Sequence, residues 1–131
     1  MKFTVTLPWP PRELGPNHKI HYRAKAPITK QARQDAYYLV HDQTAAHHWQ
    51  RQFDNKILHD DWYFYPPDNR RRDRDNVKAA CKAYQDGICE ALEIDDRQLK
   101  AGWAEMMHKV EGGKVEVHIS LRNADKEVKD V

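Results

Sequence analysis

The stretch Val77-Lys78-Ala79-Ala80-Cys81-Lys82-Ala83-Tyr84-Gln85-Asp86-Gly87-Ile88-Cys89-Glu90-Ala91-Leu92 is the clearest element of the chain. Its apolar residues Val77, Ala80, Cys81, Tyr84, Ile88 and Leu92 recur at helical spacing and line one face. The polar residues just before it, Asp75 and Asn76, are suited to cap its N-terminus. On either side the period changes from helical to alternating. Upstream, Ile57 to Tyr65 is aromatic-rich and closes on Pro66-Pro67, which reads as a strand. Its buried face is open between Leu58, Trp62, Phe64 and Ile57, Tyr63, Tyr65. Downstream, Leu99 to Val110 reads as a strand with Leu99, Ala101 and Trp103 in phase. The turn Glu111-Gly112-Gly113-Lys114 follows, and Val115, Val117, Ile119 and Leu121 alternate as another strand.

The N-terminal part completes the pattern. Phe3, Val5 and Leu7 alternate with polar residues and stop at Pro8-Trp9-Pro10-Pro11. A polar loop is expected to run to about Pro27. Thr29 then caps a helix with apolar positions Ala32, Ala36, Leu39, Val40 and Ala46. The order β-α-β-α-β-β predicts an α+β fold, a four-stranded mixed sheet with two main helices, in one domain over residues 1–131. No apolar run approaches the roughly twenty residues of a membrane span, and no signal peptide is legible. Cys81 and Cys89 are expected reduced and close to the core, in keeping with a cytoplasmic protein.

Net charge is only +2, so the distribution of charge is more telling than its total. Arg70, Arg71, Arg72 and Arg74 enclose Asp73 and Asp75, with Asn76 next and Asp95-Asp96 about twenty residues on. Carboxylates two apart in an extended segment project to one side, where both can meet a single cation. Mg²⁺ takes hard oxygen ligands and completes its shell with water and phosphate. Arginines around it supply phosphate contacts. Helix capping by Asp accounts equally well for one of the two acids, and Asp95-Asp96 alone reads as a solvated turn. Lys78 and Lys82 fall on one polar face, either as solvated lysines or as groups that meet a phosphate. Asn17, His18, His21, Arg23, Lys25 and Lys30 form a second basic cluster that suits tracking of a nucleic-acid backbone. The histidines show no zinc spacing, and His47-His48 reads as helix surface. Trp9, Trp49, Trp62 and Trp103 read as core or sheet-edge residues.

Leu7-Pro8-Trp9-Pro10-Pro11 after a first strand, then Arg70-Arg71-Arg72-Asp73-Arg74-Asp75-Asn76, then Asp95-Asp96, resembles the RusA family of Holliday junction resolvases over residues 3 to about 121. The resemblance implies a homodimeric, Mg²⁺-dependent endonuclease that nicks four-way DNA junctions symmetrically in recombination and repair. It implies a bacterial cytoplasm and a phage or prophage origin. Carried over by position, Asp73, Asp75 and Asp96 are the catalytic and metal-binding carboxylates, with Asp95 as substitute for the third. Some family members carry a lysine four residues after the second acid, where this chain has Ala79. Lys82 matches another branch, and Lys78 is the alternative. The DNA contacts implied are Arg70, Arg71, Arg72, Arg74, Asn76, Lys78, Asn17, Arg23 and Lys30. A non-catalytic DNA-binding or phage regulatory protein on the same scaffold, or a nuclease for another branched nucleic acid, is the competing reading.

Overall fold

A computed structural model describes residues 2–44, 53 and 56–122. Ala46, His47, His48, Trp49 and the tail from Asp125 lie outside the described residues. Four strands form one mixed sheet: β1 (Lys2–Pro8), β2 (Ile57–Tyr65), β3 (Leu99–Met106) and β4 (Lys114–Arg122), in the order β1-β4-β2-β3. β4 runs antiparallel to both β1 and β2, whereas β2 and β3 are parallel. Among the described residues three α-helices accompany the sheet: α1 (Tyr22–Thr44), α2 (Arg74–Ala80) and α3 (Lys82–Leu92). The α+β architecture and the order of elements are those expected from the periodicities.

The core is a set of cross-strand rows. Val5, Val117 and Trp62 lie side by side, as do Leu7, Val115 and Phe64, and all six are essentially inaccessible to solvent. The face of β2 is thereby settled in favour of Leu58, Trp62 and Phe64. The same face carries Asp60, only 2% exposed, in the row of Phe3 and Ile119. Ala32, Ala36 and Val40 of α1 and Ile88 and Leu92 of α3 complete the buried cluster.

Three expectations are corrected. First, α1 begins at Tyr22, so Thr29 lies inside the helix and donates to the Lys25 carbonyl at 3.1 Å instead of capping. Pro27 lies inside this helix, where it cannot donate an N–H to the Arg23 carbonyl. Second, the long helix is broken at Cys81 into α2 and α3, and the N-cap of α2 is Asp73. Asp75 and Asn76 donate their backbone N–H groups to its Oδ1 at 2.8 and 3.3 Å. Third, β3 ends at Met106 and its phase shifts midway. Asp60 pairs with Ala101 but Trp62 with Ala104, so β3 holds one extra residue opposite Asp61. The Asp61 carboxylate accepts the Trp103 N–H at 2.7 Å and occupies the space where a Cβ on Gly102 would lie. Ala104 and Met106 turn inward as a result, while Ala101 is exposed and Trp103 is 61% exposed.

Where α3 crosses α1, a Cβ at Gly87 would collide with the Arg33 carbonyl oxygen and lie 2.9 Å from the Ala36 Cβ. Both neighbours belong to a packed helix and cannot yield cheaply. Gly87→Ala is expected to destabilise the protein by about 1–3 kcal/mol, the usual cost of overpacking. Urea unfolding of the variant checks this, and an unchanged midpoint would contradict the tight crossing.

Candidate functional site

The parallel pairing of β2 and β3 fixes where the conspicuous acids fall. Asp73 follows the end of β2, and Asp95-Asp96 precede the start of β3. Leu58 pairs with Leu99 and Phe64 with Met106, so the start of β3 lies at the start of β2. Asp73 and Asp75 lie against Trp103–Met106, the later part of β3, whereas Asp95-Asp96 precede its start. The expected convergence of Asp73, Asp75 and Asp96 is therefore absent within one chain. Among the described residues no three His, Cys, Asp or Glu side chains are grouped so as to hold a metal ion.

Asp73 and Asp75 instead open onto a concavity of about 490 Å³, whose far wall is Trp103, Ala104, Glu105 and Met106 of β3. Glu105 is the acid that faces the pair, a residue unmarked in the sequence because nothing there reveals the β3 register. Its Oε2 accepts the Trp103 indole N–H at 3.2 Å. Arg74 ties the start of α2 to this wall by donating to the Ala104 carbonyl at 3.3 Å, and its Nε lies 3.6 Å from Asp75. The Asp75 side chain is 85% exposed. Both hydrogen bonds to Asp73 end on Oδ1, which leaves Oδ2 as the oxygen with capacity for a ligand. Two accessible carboxylates are a donor set that proteins commonly give Mg²⁺, and Asp73 and Asp75 are both exposed.

The surrounding cations divide into free and committed groups. Arg70 and Arg71 are exposed. Arg72 is held: it pairs with Asp68 at 2.9 Å, donates to the carbonyls of Asp68 and Arg70, and stacks 5.3 Å from the centre of the Trp9 ring. Its hydrogen bond to Asp68 holds that carboxyl below the usual range. Arg72 thus organises the loop and is withdrawn from the phosphate-contacting set expected of it.

The two lysines also part company at the Cys81 break. Lys78 rests 4.4 Å over the Trp62 ring and donates to Gln85 at 3.3 Å. The Trp62 indole N–H is fixed in turn by buried Asp60 at 2.8 Å. Lys82 is bound to Asp86 at 3.0 Å, which raises its pKa, and it lines a cavity with Lys25 and Thr29 of α1. The Asp96 charge acts on Lys82 and Cys89, and neither Asp96 nor Lys82 lines the concavity of Asp73 and Asp75. Cys81 and Cys89 are buried free thiols pushed up to about 12 by desolvation, as expected of reduced core residues. Asn17, Arg23 and Lys30 are exposed, Arg23 lying against the Tyr22 ring. Asn76 is partly buried and shares a recess with Asp73 and Trp9.

No protein-family model matches the chain. An uncharacterized protein of the bacterium Xylella fastidiosa (strain Temecula1 / ATCC 700964) is 38% identical over 99 residues, covering 72% of this chain. The chain spans 61% of that relative's length. Among the described residues no helix is long and apolar enough to cross a membrane.

Asp95 has a structural task. It caps the 3-10 turn Asp96–Gln98 in a capping box, accepting the Arg97 N–H while Gln98 returns a bond to its own N–H. The Arg97 backbone N–H, then the Arg97 guanidinium, hold its carboxyl down to about 2 from an ordinary 3.8. A depressed carboxyl stabilises the folded state above its unfolded pKa, and that contribution fades as pH falls toward the folded value. The stability difference between the parent and Asp95→Ala is expected to be constant above about pH 5 and to shrink from about pH 4 to pH 2. Thermal unfolding across this range checks the assignment, and a gap of constant size down to pH 2 would refute it.

Proposed function

We propose that this chain is a Mg²⁺-dependent, structure-selective endodeoxyribonuclease acting on branched DNA, with the four-way junction as its main substrate, as the RusA resemblance implies. The observation that carries the reading is the Asp73–Asp75 pair at the α2 N-terminus, set between exposed arginines and a concavity wide enough for a hydrated ion and a phosphate. A divalent ion held there would lower the pKa of a bound water and neutralise charge gathering on the scissile phosphate.

The protein's own contributions follow from its geometry. Capping bonds to Oδ1 fix the Asp73 rotamer, so Oδ2 is oriented in advance of any ligand. Glu105 adds negative charge across the concavity, where it can accept a proton or a water hydrogen bond. Arg70 and Arg71 offset the repulsion between three carboxylates and a DNA backbone. The lysine role falls to Lys82 or Lys78, neither of which lines the concavity: Lys78 is braced on Trp62 and Gln85, and Lys82 is bound to Asp86. Asn17, Arg23 and Lys30 extend the phosphate track. A two-fold homodimer would present two equivalent centres to a junction with two equivalent strands, in the cytoplasm of a bacterial host. In this reading Asp95 has a structural task as a cap, and Asp96 lies outside the concavity.

The competing reading is a DNA-binding protein without catalysis, favoured by the fact that Asp73 already serves as a helix cap. A synthetic four-way junction incubated with and without Mg²⁺ separates the two. Paired symmetric nicks that require the metal are expected, and binding without nicking favours the competitor. Asp73→Asn is a clean probe, because Asn caps a helix about as well as Asp and only the charge is lost. That variant is expected to lose at least about a hundredfold in cleavage rate, with junction binding retained. Asp75→Asn should behave likewise, and Asp96→Asn should stay close to the parent. Loss of cleavage in Asp96→Asn would mean that a third acid joins the site from a second chain.

A further inference from the structure

Asp73 lines two depressions, one on each side of the α2 N-terminus. The second is a recess of about 300 Å³ with a character unlike the acidic concavity. Trp9 and Pro11 from the loop after β1, with Val77 of α2, make it apolar, while Arg12 and Arg71 supply its cations. The Arg12 side chain is 85% exposed. Asn76 brings a carboxamide, donor and acceptor together, beside the acid that both depressions share.

We propose that this recess takes one unpaired nucleobase of the bound nucleic acid, stacked on the Trp9–Arg72 wall, with its phosphates on Arg12 and Arg71. The proposal rests on the reading above that the chain acts on DNA, and it names how unpaired structure is recognised. Charge complementarity selects the occupant. Cations beside an apolar floor favour a ligand that is anionic at one end and flat and weakly polar at the other, which describes a nucleotide. The volume lies at the lower end of the roughly 300–1,000 Å³ usual for small-ligand pockets, enough for one base and too small for a base pair. Bases freed from a stack are commonly bound on aromatic rings and on guanidinium planes, and Trp9 with Arg72 laid over its ring both line the recess. The wall is also rigid. Arg72 is fixed by Asp68 at 2.9 Å and by two backbone carbonyls, so little side-chain freedom is lost when a base stacks. Because Asp73 is common to both depressions, a base lodged here would bring its neighbouring phosphodiester toward the acidic pair. Trp9 packs against the core as the sequence suggests, and in this proposal the part of its ring that lines the recess also serves as the stacking platform.

The test uses binding alone, without divalent metal. A short DNA duplex with a single unpaired base is compared with the same duplex carrying an abasic site at that position, by fluorescence anisotropy. The base-bearing duplex is expected to bind about five- to a hundredfold more tightly, the range that stacking of one base supports. Trp9→Leu should bring that ratio to one, and Trp9→Tyr should keep most of it. Arg12→Gln with Arg71→Gln should weaken both duplexes alike and leave the ratio intact. A parent ratio near one, or a ratio that survives Trp9→Leu, overturns the proposal. Should Trp9→Leu not fold, 2-aminopurine at the unpaired position decides with the parent protein. Its fluorescence must fall on binding, and a rise overturns the pocket. An uncut junction with the ratio intact removes only the nuclease reading; a cut junction with a ratio of one removes only the pocket. Absence of binding to either duplex removes the pocket, and an uncut junction besides removes both.

Discussion

Two neighbouring strands that run parallel must be joined by a crossover long enough to carry the chain back along the sheet. Between β2 and β3 that crossover is α2 and α3, and nearly every feature of the site follows from it. The loop leaving β2 and the loop entering β3 are forced to opposite ends of the sheet. Acids close in sequence terms, at 73, 75, 95 and 96, are thereby sorted into a candidate site and a structural turn. The same pairing brings the end of β3 under the start of α2, so Glu105 faces Asp73 and Asp75. A hairpin between β2 and β3 would have reversed this arrangement.

Within that frame, polar groups are placed at some energetic cost. Asp60 sits in an apolar row with Phe3 and Ile119, and its Oδ1 has no hydrogen-bond partner within the described structure. An unsatisfied buried oxygen commonly costs a few kcal/mol, which asks for a compensating role. Its other oxygen orients Trp62, and the Trp62 ring supports the Lys78 ammonium. Asp61 acts by a parallel device one residue later. It replaces a ladder bond with a side-chain bond and thereby turns Trp103 out of the core. Neighbouring aspartates on one strand set the orientation of two tryptophans.

The arginine-rich loop shows the same economy. Of its four arginines, Arg72 is consumed by Asp68 and Trp9, and Arg74 secures α2 to β3. Arg70 and Arg71 remain exposed for an external anion. A basic run in a sequence therefore overstates the positive charge presented to a ligand, because part of it is neutralised in building the loop that displays the rest.

Alternation of Phe3, Val5, Leu7 and of Val115, Val117, Ile119, and the helical spacing of Val77 to Leu92, determined the elements and their order by themselves, since these periods are set by local backbone geometry. Asp73 and Asp75 were legible as a pair for a similar reason: two residues apart, they stay together in any extended or capping conformation. The start of α1, the break at Cys81 and the shift in β3 were not legible, because each depends on contacts from elsewhere in the chain. Only the tertiary structure decided that Glu105 faces the pair while Asp96 does not, that Lys78 lies on Trp62, and that Trp9 opens onto a recess. Strand pairing and register are long-range choices, and a shift of one residue exchanges the faces of a strand without leaving any mark on the local pattern.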